Sequence, residues 1–171
     1  MKGKKRDTKR LTLLAIITSV AMIMSFIESQ IPAFSSIPGV KVGLANIAVI
    51  FALYTLGARE AIAVSFVRMI AVAFLFGNAE TLIYSLGGAI LSMTAMILLK
   101  KFTPFTEVAV SVAGGVCHNI GQILVACFVL DLTAIIYYLP ILVLSGTLAG
   151  IAVGVASAIL IKRLSPTNKK K

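Results

Sequence analysis

Arg68 stands inside the apolar run Ala61–Phe76, seven residues past its start. In a membrane span such a charge costs at least about 2.5–3.5 kcal/mol on insertion scales, so it must face the protein interior and find a partner. The planar guanidinium fork suits a carboxylate or phosphate, which makes Arg68 a candidate anion clamp. A structural pair with Glu28 or Glu80, or hydrogen bonds to carbonyls, is the equal alternative. His118, Asn119 and Gln122 form a second group. Separations of three and four residues place them on one helical stripe, and Gly114, Gly115 and Gly121 leave room beside it. They suit ligand hydrogen bonds; the plainer reading is hydrogen bonding between helices. A lone histidine without a cysteine or carboxylate pattern does not make a zinc site, and no metal or cofactor is expected.

The third group is the stretch Glu28–Asn46, which holds Glu28, Lys41 and Asn46 between two apolar runs. Pro32 and Pro38-Gly39 shape it as a loop. It is expected to lid a ligand site at a membrane edge. By helical rise Glu28 lies about 25 Å from the inner surface and Asn46 about 7–8 Å below the outer one. Arg68 and His118 lie nearer the midplane, so a polar pocket could run from the outer face to mid-membrane. Tyr84 and Ser85 could add hydroxyls, although tyrosine is also a common interface anchor.

What must position these groups is a membrane bundle. Of 171 residues, 59% are hydrophobic and 13% charged, with a mean hydropathy of +1.03. Soluble domains carry about 25% charged residues. The apolar residues come in long runs rather than in alternation, which predicts an all-α integral membrane protein. The runs predict six transmembrane helices near 11–27, 41–56, 61–76, 81–99, 107–130 and 140–161, with Tyr137 and Tyr138 at an interface. Ala15, Ser19, Ala21 and Ser25 form two small-xxx-small pairs on the first helix, and Gly146, Gly150 and Gly154 a GxxxG-type face on the last. Residues 1–10 and 162–171 are basic tails around a transmembrane domain of residues 11–161. Cys117 and Cys127 would lie about 15 Å apart along one helix and cannot bridge within it.

Net charge is +10, but six of the 16 basic residues fall in residues 1–10 and five in 162–171. Such tails contact anionic lipid and set topology rather than bind nucleic acid. With both termini in the cytoplasm, 14 basic residues lie inside and only Lys41 outside, which puts the Glu28–Lys41 loop outside.

The absences also constrain function. No GxxxxGK[ST] motif is present, so the chain does not hydrolyse nucleotide by a P-loop, which favours partner-driven or facilitated movement of a solute over a primary pump. The six acidic residues, Asp7, Glu28, Glu60, Glu80, Glu107 and Asp131, contain no close pair to hold Mg²⁺-diphosphate. No nucleophile–base constellation and no convincing internal repeat stand out.

Glu28-Ser29, Pro38-Gly39-Val40-Lys41-Val42-Gly43-Leu44-Ala45-Asn46-Ile47, Arg68, Phe76-Gly77, Tyr84-Ser85-Leu86-Gly87-Gly88 and His118-Asn119-Ile120-Gly121-Gln122 resemble the Gx transporter family, also labelled heptaprenyl diphosphate synthase component I. The resemblance covers nearly the whole chain. It implies a six-helix fold like the S components of energy-coupling factor (ECF) transporters. There the first extracellular loop closes over the ligand and small residues of helix 1 meet a coupling subunit working with ATPases. The second label implies an accessory subunit in making the menaquinone side chain; the aspartate-rich motifs of prenyl diphosphate synthases are missing here. The expectation is a multi-pass protein of the bacterial cytoplasmic membrane that captures a small polar or anionic solute and is energised by partners. The alternative is a non-catalytic synthase component partnered by a catalytic subunit. In either case the chain is expected not to be the enzyme itself.

Overall fold

The computed structural model describes residues 2–31, 42–129 and 133–164. Lys41, most of the loop from Glu28 to Asn46, Asp131 and the end of the basic C-terminal tail lie outside the described residues. All six expected helices are present: α1 (Lys2–Ser29), α2 (Leu44–Thr55), α3 (Ala58–Phe76), α4 (Ala79–Phe102), α5 (Glu107–Val129) and α6 (Leu139–Leu164), with a 3₁₀ segment, Thr133–Tyr138, before α6. Among the described residues there is no strand.

Several helices outrun their apolar windows. The first begins at Lys2 rather than Leu11, and the fourth continues through Lys100 and Lys101 to Phe102. Lysine and arginine are good helix formers, so the backbone pattern continues where hydrophobicity stops. Pro104 disfavours helical backbone at the residue before it and follows the end of α4. Thr106 caps the next helix, its Oγ1 accepting from the Ala109 N–H at 3.3 Å.

Among the described residues, four segments are long and apolar enough to cross a membrane: Thr8–Ser29, Leu82–Phe102, Glu107–Val129 and Thr133–Leu164. The other two helices depart from the expected set of six simple spans for separate reasons. With 12 residues, α2 is about 18 Å long, short of a hydrocarbon core of about 30 Å. Three charges, Arg59, Glu60 and Arg68, fall within α3. Large apolar residues are nevertheless exposed along the outer faces of α1, α3, α4, α5 and α6. On α6, Ile141, Leu144, Leu148, Ile151, Val155 and Ile159 are exposed, while Leu142, Gly146, Gly150, Val153, Gly154 and Ser157 are buried. Large residues outside and small ones inside is the pattern of helices that pack in lipid, and a soluble monomer does not expose so much contiguous apolar surface.

The bundle has two halves. In one, α1, α2 and α3 pack on each other; in the other, α5 lies between α4 and α6. The halves join where α2 meets α6 and where α3 meets α4. The short α2 is the core element: Ala45, Ile47, Ala48, Val49, Ile50, Ala52 and Leu53 are all buried, which explains a helix apolar on every face. Two cations close its C-terminal end. Lys100 Nζ donates to the Leu53 carbonyl and sits 4.8 Å from the centroid of the Tyr54 ring. Arg10 donates to the Leu56 carbonyl at 3.3 Å and pairs with Glu60. Cations at a helix C-terminus satisfy its orphan carbonyls and oppose its dipole.

The α5–α6 and α4–α5 seams are set by glycine. A Cβ on Gly150 would lie 2.6 Å from Val112 Cα, and one on Gly154 2.7 Å from Val108 Cα. Gly121 approaches the Gly87 carbonyl so closely that a Cβ would stand 2.5 Å from its oxygen. The expected glycine face on α6 therefore serves packing within this chain. The small residues of α1 divide: Ala21 and Ser25 are buried in the bundle, whereas Ala15 and Ser19 are exposed.

Candidate functional site

A cavity of about 320 Å³ lies between the two halves. At one end it is bounded by Ser29 and Ile31 at and just past the end of α1, Val42 and Gly43 before α2, and Phe76 and Gly77 at the end of α3. It reaches along the bundle to Ile50, Met96 and Ser111. Its polar lining includes Ser25, Glu28, Asn46, Arg68, Ser85, His118 and Asn119, and its apolar lining Met69, Val72, Ala73 and Leu82.

Arg68 is placed by α3, four residues after the buried Val64 and next to the buried Met69. Its Nη1 donates to Ser25 Oγ at 3.1 Å, and its buried Nε has no hydrogen-bond partner. No acidic group lies within ion-pair distance of this arginine among the described residues, so the expected structural pairs with Glu28 and Glu80 are not formed directly. A guanidinium held by one hydroxyl, with a buried N–H left over, retains donors for an incoming acid.

Glu28 is placed at the end of α1, one turn past Ser25. Its Oε1 accepts from the Gly43 N–H at 2.6 Å. Gly43 has φ +75°, a left-handed conformation strained for any side chain. Its carbonyl accepts from the Asn46 N–H at 2.8 Å, starting α2. One glycine thus turns the chain into α2 and points its N–H at the carboxylate. Asn46, in the first turn of α2, lines the cavity beside it.

The stripe on α5 is split in function. The His118 ring fits against α4, where a Cβ on Gly88 would come within 2.8 Å of it, and it lines the cavity. Asn119 also lines the cavity, but its Nδ2 donates to the Leu142 carbonyl on α6. Gly146 makes this reach feasible, since a Cβ there would lie 2.7 Å from Nδ2. Gln122 is buried with an unpartnered Oε1, and it is not among the cavity residues. Of the two fourth-helix candidates Ser85 lines the cavity and Tyr84 does not. Lys41 lies outside the described residues.

Ser25 and Ser111 escaped the sequence reading as site residues. The spacing on α1 marks Ser25 as a small packing position and Ser111 lies in an apolar run; which hydroxyl meets the cavity depends on helix rotation. A partner for Arg68 had to be hydrogen-bonding and one helix away, which was the one available clue to Ser25.

Searches among curated proteins and among solved structures return no match. The family model described as heptaprenyl diphosphate synthase component I matches residues 17–160. That range runs from the body of α1 to the end region of α6 and takes in every residue that lines the cavity. The chain therefore belongs to the heptaprenyl diphosphate synthase component I family.

Proposed function

We propose that this chain is the solute-binding subunit of a membrane uptake system and holds a small polar or anionic solute in the cavity between its two halves. The observation that carries the reading is Arg68: a guanidinium inside a largely apolar cavity, anchored by one serine and with a buried N–H unpartnered. An apolar pocket with a few convergent polar groups is the usual form of a ligand site. The Gly43 end of the bundle faces outside if basic residues are retained in the cytoplasm, which supports capture from that side. Energy comes from partners in this reading, as in ECF systems, and exposed Ala15 and Ser19 on α1 offer a close-approach surface for a coupling subunit. Native mass spectrometry of the full-length protein tests the reading. A small molecule should remain bound to wild type and be lost from Arg68→Ala protein that still folds. Equal retention in both would remove Arg68 from the site.

The family description favours a second reading, a non-catalytic membrane component of heptaprenyl diphosphate synthase. The scattered carboxylates support the non-catalytic part, since prenyl transfer needs clustered acids to hold Mg²⁺-diphosphate. Alone, the purified chain should form no prenyl diphosphate from labelled isopentenyl and allylic diphosphates. Steady product formation with this as the sole protein would refute both readings.

A further inference from the structure

Two opposite charges face the same cavity and are held apart. Arg68 is tied to Ser25 and Glu28 to the Gly43 N–H, and the two do not come within ion-pair distance. Ser25, which holds Arg68, and Glu28 are three residues apart on α1, about 4.5 Å along the helix axis. At low dielectric a carboxylate and a guanidinium attract strongly; here each has a neighbour that fixes it short of the other. Both side chains line the same cavity.

Resting on the solute-binding reading, we propose that the solute is an ampholyte, with its acidic group on Arg68 and its basic group on Glu28. A simple anion would satisfy Arg68 but bring a second negative charge beside Glu28. A simple cation would satisfy Glu28 but crowd Arg68. Repulsion of either in a desolvated site sets specificity as much as attraction does. An ammonium and a carboxylate joined by a short spacer meet both groups at once. The apolar wall of Met69, Val72, Ala73 and Leu82 takes the body of the molecule.

The test uses full-length protein in nanodiscs and an equimolar pool of α-, β- and γ-amino acids, aminobenzoates and pyridine carboxylates. Each is accompanied by its deaminated (or nitrogen-free) acid and its decarboxylated base. Bound members are identified by mass spectrometry. An amphoteric member should be enriched about tenfold or more over both single-charge counterparts. Glu28→Gln keeps an acceptor for the Gly43 N–H but removes the charge, so it should shift binding toward the acid counterpart. If wild type binds the acid as well as its amphoteric parent, and Glu28→Gln changes nothing, the ampholyte assignment is overturned while solute binding stands. If no pool member and no counterpart binds, solute binding falls with it.

Discussion

Arg68 concentrates the functional argument in one side chain. Lysine at this position keeps a charge but loses the planar fork and the Nε–H, so Arg68→Lys should weaken solute binding about tenfold or more, with folding retained. Arg68→Ala should abolish binding, and its expression must match wild type for the result to count. Unchanged affinity in both, measured by mass spectrometry of bound solute, would make the residue structural and move the site to α5. Gly43 gives a second residue-scale prediction. Its φ of +75° means that Gly43→Ala forces a side chain into left-handed backbone, at a cost of about 1–2 kcal/mol. The measured result should be a lower unfolding temperature together with weaker binding, because the N–H that holds Glu28 is displaced. A variant as stable as wild type would show that the turn is not under this constraint.

At the scale of elements, the glycine seams set how closely the helices approach. A Cβ on Gly150 meets the backbone of α5 rather than a side-chain tip, so the neighbour cannot rotate away. Gly150→Val should therefore force α5 and α6 apart and destabilise the protein by about 1–3 kcal/mol or more, read as a fall in thermal midpoint in detergent. An unchanged midpoint would mean that the seam is looser than its geometry. The α3–α4 junction is different in kind. These helices pack far more lightly on each other than α4 does on α5, and Phe76, Gly77 and Leu82 at their joined ends line the cavity. The contact of the Phe26 and Phe76 rings, with centroids 5.1 Å apart, ties α1 to the end of α3 at that same end. The lightly packed junction is thus at the Gly43 end of the cavity.

For the molecule as a whole, charge placement predicts orientation. Fourteen of the 16 basic residues fall in segments that share one side when six helices alternate. Both tails should then be cytoplasmic and residues 29–40 outside. An impermeant thiol reagent applied to intact cells should label a cysteine placed at Ser35 and not one placed at Thr167. The reverse pattern would invert the bundle and turn the cavity toward the cytoplasm. Orientation also separates the two functional readings, because a Gly43 end on the outer face suits uptake and prenyl diphosphates are cytoplasmic.

Sequence alone determined the class, because an apolar run long enough to span lipid leaves the backbone little choice but helix. It also singled out Arg68, since a charge in such a run is costly wherever it is not satisfied. It placed Glu28, Asn46 and His118 at depths that could meet, by counting helical rise. It could not fix rotation about each helix axis. That rotation, set by packing, puts Ser25 rather than an acid against Arg68 and turns Asn119 toward the Leu142 carbonyl. The same packing leaves Gln122 and Tyr84 off the cavity while Ser85 lines it. Nor could composition alone show that the short run Leu44–Thr55 is the buried centre of the bundle. A largely apolar helix reads the same facing lipid or facing other helices, and only tertiary contacts distinguish the two.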